Sequence, residues 1–195
     1  MKFEYGEKYY KKREGKKHYK YMAAAAMRLC EIAGIECKNV LDIGCASGVF
    51  LKSMRDINPD STLIGIDCGE VPDERWMLKG DDNAAFWSMD LDEIDPNVPT
   101  WSDWLSKIGF DFVCFFEVIE HLDPTKEDNI VNAVAQMVSG IMMFTGAGEG
   151  QRGYGHINCR SKEYWVEKFS GAGLPLDEEL TQAAKTNLQC IRYPV

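Results

Sequence analysis

The chain has 195 residues, 45% of them hydrophobic and 27% charged, with a net charge of −9 at neutral pH. That balance suits one ordinary domain and excludes disorder over the bulk of the chain. No apolar run approaches the ~20 residues that a membrane-spanning helix needs.

Charge is unevenly spread. Residues 1–20 hold eight Lys/Arg and three Asp/Glu, a net of +5, and the rest holds 14 against 28, a net of −14. A body at −14 is a poor landing surface for a phosphate backbone, so a nucleic-acid partner is not expected. The opening residues Met1 to Tyr5 lack the apolar core of a secretory signal. Seven Cys stand at 30, 37, 45, 68, 114, 159 and 190, an odd number with no Cys-x-x-Cys pair. They read as reduced thiols, and a cytoplasmic location is the expectation.

The pattern divides into a basic, aromatic leader over 1–20 and a single domain over 21–195. Met22, Ala25, Ala26, Leu29, Ile32 and Ala33 recur at helical steps, with Gly34 as the cap. Val40 to Ile43 is a short strand, Gly44 to Gly48 a turn, and Val49 to Met54 the start of a helix broken at Asn58-Pro59-Asp60. Thr62 to Ile66 is the second strand, ending at Asp67. Residues 68–109 carry Trp76, Trp87, Trp101 and Trp104 among acidic and turn residues, and Ser88-Met89-Asp90 closes a third strand. Phe110 to Phe116, apolar apart from Asp111, suits a central strand buried on both faces. Thr125-x-x-Asp128 has capping-box spacing, ahead of a helix through Ile130, Val131, Val134, Met137 and Val138. Ile141 to Thr145 is a further strand. A glycine-rich loop leads to Ser161, which caps a helix stopped near Gly171. A helix around 178–185 and a closing strand, Leu188 to Tyr193, finish the chain. Helix and strand in alternation predict an α/β layered fold with a mostly parallel sheet.

The stretch Asp42-Ile43-Gly44-Cys45-Ala46-Ser47-Gly48 carries the most chemistry. A strand, a turn of small residues and a helix let a ligand approach the backbone closely. A dinucleotide fingerprint would need Gly where Ala46 and Val49 stand, and Val49 excludes it. A phosphate-cradling loop needs a terminal Gly-Lys-Ser/Thr, which is missing. An acid beside the loop repels phosphate and suits a cationic ligand. Asp67 follows Gly44 by 23 positions, near the roughly 20 of a ribose-binding acid.

With these residues in order, the chain resembles the class I S-adenosylmethionine-dependent methyltransferases. Asp42 to Gly48 resembles their glycine-rich first motif, with Ala46 where Gly is commoner. Ile64 to Asp67 resembles the second strand with its ribose-holding acid, Met89-Asp90-Leu91 the third, and Phe110 through Leu122 the fourth. Gly155-His156-Ile157-Asn158 before Arg160-Ser161 resembles a segment after the fifth strand in small-molecule members. The resemblance implies a three-layer Rossmann-like fold, seven strands with the last antiparallel. It implies that Asp42, Gly44, Ala46, Gly48, Asp67, Asp90, Leu91 and Glu117 bind S-adenosylmethionine. It implies His156 or His121 as base toward the hydroxyl of a small-molecule acceptor.

Alternatives stand beside several of these. Asp42 also suits a bond to the loop backbone, and His156 a loop-orienting one. Tyr5, Tyr9, Tyr10 and Tyr19 suit a lid over the cofactor or an exposed tail, and the Trp cluster suits core or lid packing. Glu117, Glu120 and His121, if they share a helical face, converge with His156 on a divalent metal such as Mg²⁺. Such a set resembles small-RNA 2′-O-methyltransferases and some ubiquinone-pathway enzymes, so a metal-assisted enzyme of nucleic acid is the alternative function. An inactive S-adenosylmethionine-binding module is another. The expectation is a metal-free site, and oligomeric state is not legible.

Overall fold

The computed structural model describes residues 7–14, 18–69, 71, 74–95 and 101–189. Five parallel strands form one sheet in the order β3-β2-β1-β4-β5. They are β1 (Asn39–Ile43), β2 (Thr62–Asp67), β3 (Ala84–Ser88), β4 (Phe110–Phe116) and β5 (Val138–Thr145). The helices are α1 (Glu7–Glu14), α2 (His18–Ile32), α3 (Val49–Ile57), α4 (Trp101–Ile108), α5 (Glu127–Met137), α6 (Lys162–Gly171) and α7 (Glu178–Gln189).

Alternation along the strands sorts the core into two layers. Val40, Leu63, Phe112 and Cys114 pack with Ala26, Phe50 and Met54 of α2 and α3. Leu41, Ile43, Ile64, Ile66 and Phe115 pack on the other face with Leu105, Ile130, Val134 and Trp165 from α4, α5 and α6. The three-layer α/β expectation therefore holds for this sheet. β4 pairs on both sides, with β1 and β5. This explains its unbroken apolar run, since each face meets a helix layer. Asp111, the exception, accepts hydrogen bonds from the Lys38 and Asn39 N–H groups at 2.9 and 2.8 Å and anchors the start of β1.

The chain runs outward from β1 to β3 and then crosses back to β4 on the other side of β1. A crevice opens at such a switch point beyond the carboxyl ends of the strands. The loops after β1 and β4 flank it.

Several predicted boundaries move. Leu188 and Gln189 continue α7, which packs on α2, so the closing strand is wrong at its start; its remainder lies outside the described residues. Seven strands and an antiparallel last strand are not found among the described residues. α5 ends at Met137 and Val138 opens β5, because Val138 pairs with Phe110. Thr125 does not box a helix. Its N–H and hydroxyl both donate at 2.8 Å to the carboxylate of Asp123, which caps the 3-10 turn Pro124–Lys126. β3 ends at Ser88, leaving Met89 and Asp90 beyond it. Ser161 does cap α6, accepting from the Tyr164 N–H at 3.2 Å. No helix of the described residues is long and apolar enough to cross a membrane.

Candidate functional site

The loop after β1 is built from left-handed turns. Gly44, Ala46 and Gly48 sit at φ 76°, 48° and 79°. A Cβ on Gly44 would lie 2.2 Å from Val118 Cγ2, in the loop after β4. A Cβ on Gly48 would lie 2.4 Å from the Trp76 ring. Both glycines therefore let a neighbouring side chain, Val118 or Trp76, pack directly on the loop backbone. We expect Gly44→Ala to cost roughly 1–3 kcal/mol from backbone strain and the forced contact. Thermal unfolding reads this as a fall of about 3–10 °C for a domain of this size, partly restored in Gly44→Ala/Val118→Ala. An unchanged midpoint would show that the loop has slack.

Acids ring the loop. Asp67, at the tip of β2, accepts the Ala46 N–H at 2.9 Å on one oxygen and the Gly69 N–H at 3.2 Å on the other. It is buried, as is Asp42 on β1. Burial pushes the Asp42 carboxyl up to about 7; the neighbouring Cys114 thiol works the other way and the Asp67 charge adds to the rise. Asp90 accepts the Asp92 N–H at 3.0 Å and caps a 3-10 turn that begins at the buried Leu91. The Met89 N–H donates to the Asp67 carbonyl at 2.7 Å and joins the tips of β2 and β3. The Ser47 hydroxyl is buried in the loop with no hydrogen-bond partner.

Three thiols share this neighbourhood. Burial is the first cause that raises Cys45, Cys68 and Cys114, and nearby carboxylates add to it: Asp42 and Asp67 at Cys45, Asp67 and Asp90 at Cys68, Asp42 at Cys114. Cys68, half-buried, reaches about 11.

Two non-local pieces cover the loop. The Met77 N–H donates to the Ser47 carbonyl at 3.0 Å, which lays the 74–80 segment across it. Tyr10 of α1 is only 5% exposed. Burial raises its phenol first, and the Asp67 charge next, so its hydroxyl stands near that carboxylate. The Arg75 guanidinium lies 5.8 Å from the Tyr10 ring and 3.4 Å from Glu14. Of the leader tyrosines, Tyr5 and the Tyr9 side chain lie outside the described residues. Tyr19 packs with the α2 and α3 layer.

The second group of side chains lies beyond β4. Glu117 occupies an exposed bend at φ 55°, not a helix. Ile119–His121 is a 3-10 turn. The expected helical convergence of Glu117, Glu120 and His121 is thus corrected. Glu120, His121 and His156 do come together, with one ligating atom each within 4.8 Å of one another. Glu117 is outside that trio. The Glu120 carboxyl is fully buried, and neither oxygen has a hydrogen-bond partner. Burial raises it to about 7, with the Glu117 charge adding to the rise; the Glu120 and Ala147 N–H dipoles, outside bonding geometry, oppose it. The His121 Nδ1 stands 3.2 Å from the Gly155 carbonyl, and the two imidazoles meet edge-on at 5.0 Å. His156 lies against the Gly153 backbone, where a Cβ would be 2.1 Å from Nε2. Its Nδ1 is 3.8 Å from Cys159 Sγ. Two imidazoles and a carboxylate are a donor set for a borderline divalent ion, and equally for moving a proton.

Sequence reasoning misses Arg75, leaves Trp76 between core and lid packing, and gives Ser47 and Asn158 no role of their own. The first two act through contacts remote in sequence. Asn158 stands in the segment that carries His156, and its burial alone marks it.

A family model described as a methyltransferase domain matches residues 14–178. No curated protein matches the chain. Among solved structures it is similar to the mitomycin 7-O-methyltransferase MmcR, at 16% identity and TM-score 0.58, over 82% of this chain and 48% of that one. It is also similar to an S-adenosylmethionine-dependent methyltransferase from Archaeoglobus fulgidus, at 19% identity and TM-score 0.57, over 80% and 68%. A third is the Burkholderia thailandensis 1,6-didemethyltoxoflavin-N1-methyltransferase, solved with S-adenosylhomocysteine, at 17% identity and TM-score 0.53, over 80% and 69%. The chain spans about half the length of the mitomycin enzyme.

Proposed function

We propose that this chain, which belongs to the methyltransferase-domain family of S-adenosylmethionine-dependent enzymes, moves a methyl group to a hydroxyl of a small-molecule acceptor by in-line displacement. One observation supports this most: three acids, Asp42, Asp67 and Asp90, stand on or just after β1, β2 and β3, around a loop that turns through left-handed Gly44, Ala46 and Gly48. The cofactor fits what is there. The buried Ser47 hydroxyl has no hydrogen-bond partner, and the acids suit ribose hydroxyls and a cationic sulfur. When bound, S-adenosylmethionine supplies an electrophilic methyl group.

In this reading Asp67 holds the ribose hydroxyls while keeping its bond to the Ala46 N–H. Gly44, Ala46 and Gly48 present backbone at close range. Asp90 and Leu91 border the adenine, and the Glu117 bend closes the side beyond β4. Asp42 sets a negative field beneath the loop. The 1–20 leader is a lid, with Tyr10 as the contact and Arg75 as its fastener. His121 donates through Nδ1 to the Gly155 carbonyl, the tautomer in which Nε2 is the basic nitrogen. His156 is the second imidazole at that point.

Alignment supplies the larger part of such catalysis, ~7–11 kcal/mol, and a base only ~10²–10⁴-fold in rate. We therefore expect His156→Ala to lower turnover by about 10²–10⁴-fold with cofactor affinity kept. S-adenosylhomocysteine release measured beside calorimetric titration reads both. The reading itself is tested by native mass spectrometry for a retained nucleoside, then by an acceptor screen for S-adenosylhomocysteine production. Absence of both would remove it.

The trio Glu120, His121 and His156 favours a second reading, in which a divalent ion held there assists 2′-O-methylation of a nucleic acid. The −14 body weighs against that substrate. Loss of turnover in EDTA, restored by Mg²⁺ or Zn²⁺, together with retention of RNA on a filter, would move the assignment to it.

A further inference from the structure

Four buried side-chain atoms in the two segments that carry the imidazole pair have no hydrogen-bond partner among the described residues. They are both carboxylate oxygens of Glu120 and both amide heteroatoms of Asn158. Glu120 is 0% exposed and Asn158 1%. A buried polar group without a hydrogen bond is destabilising, so two such residues together are a standing cost for the empty protein. They cannot relax apart. The Ile157 and Asn158 N–H groups both donate to the Glu120 carbonyl, at 2.8 and 3.0 Å, and bolt the turn after β4 to the loop after β5. Native structures leave few buried polar groups unmatched, and those that remain call for a ligand or a function.

We propose that Glu120 and Asn158 are the acceptor-anchoring pair, and that the acceptor is a neutral vicinal diol. The inference rests on the methyltransferase reading and names its substrate class. In its ionised form the Glu120 carboxylate only accepts hydrogen bonds, so a partner that stabilises that form must donate. A carboxamide donates and accepts, which matches a hydroxyl. An anionic group beside Glu120 would be repelled, and a single hydroxyl cannot serve an imidazole as nucleophile and also fill the carboxylate. Two neighbouring hydroxyls do both. One meets Glu120, and the other stands at the imidazole nitrogens, which lie within 4.8 Å of the Glu120 oxygen. Specificity of this kind is strong, because an analogue that lacks the second hydroxyl leaves buried groups unpaired.

The test compares catechol with phenol by calorimetric titration of the full chain, with and without S-adenosylhomocysteine. Catechol is expected to bind at least about tenfold more tightly than phenol, as expected when a buried partner is left unmatched. In Glu120→Gln and in Asn158→Leu that preference should fall toward unity. Thermal stability of the empty variants should be equal or higher, because neither side chain satisfies anything in the resting fold. A purely structural role predicts the reverse, destabilised variants with the preference kept. Equal binding of the two probes by the unmodified chain overturns the proposal without any variant. So does a catechol preference that EDTA abolishes and Mg²⁺ restores, which would place a metal between diol and protein. Failure of the methyltransferase reading is distinguishable, since it appears as no S-adenosylhomocysteine binding by the unmodified chain.

Discussion

Asp67→Ala is expected to abolish measurable S-adenosylmethionine binding. Two ribose hydroxyls on a carboxylate are worth ~1.5–3 kcal/mol each, so affinity should fall by roughly 10²-fold or more. The structure adds a second cost. The same carboxylate ties the glycine-rich loop to the tip of β2 through the Ala46 N–H at 2.9 Å. Alanine therefore releases the cradle as well as the ligand. Asp67→Asn separates the two roles, because an amide oxygen still accepts from Ala46 but carries no charge. Calorimetry on both variants should rank affinity as native, Asn, then Ala, with loop loosening, read by hydrogen exchange near residue 46, confined to Ala. Native-like affinity in the alanine variant would contradict the assignment of Asp67.

The second large effect concerns Asp42 and pH. Its folded-state carboxyl lies near 7 against an ordinary 3.8 because it is buried. Below pH 3.8 it is protonated whether the chain is folded or not, and it costs nothing. Between 3.8 and about 7 the unfolded chain releases the proton while the folded chain retains it. Stability then falls as pH rises, and above about 7 the loss stays constant. The amide introduced by Asp42→Asn cannot titrate. The variant's unfolding free energy should gain on the native curve from about pH 4 to 7, by on the order of a few kcal/mol, and run parallel beyond. The pH dependence of the gap, rather than its offset, is the readout, from urea unfolding at several pH values. Cofactor affinity at about pH 8 should move the opposite way, because the variant lacks the negative field under a cationic ligand. Parallel curves throughout would mean that Asp42 ionises as freely as in the unfolded chain.

Strands are readable in the residues where apolar runs end abruptly. Val40 to Ile43 stops at Gly44, Leu63 to Ile66 at Asp67, and Phe110 to Phe116 at an acid that a buried strand excludes. The glycine-rich turn is readable because few residues other than Gly tolerate φ near 76°. The 68–109 region is not. α4 is a short helix whose two tryptophans resemble turn-rich surroundings, and its inner face is evident only once Leu105 meets the sheet. Leu188 has strand-forming neighbours, yet α7 continues through it because packing on α2 overrides local preference. Asp67 can be placed at the tip of β2 from its spacing after Gly44. The pairing of Glu120 with Asn158, and of Tyr10 with Arg75, depends on loops that meet across the fold.

The thiols beneath the cradle have a chemical consequence. A sulfonium donor is an alkylating agent, and the thiolate is the form of cysteine that attacks its methyl group. Cys45, Cys68 and Cys114 are kept protonated by burial and by the carboxylates around them. In the proposed function, the acids that would hold the donor thus also protect the chain from methylating itself at sulfur, and its own mass should stay unchanged over many turnovers.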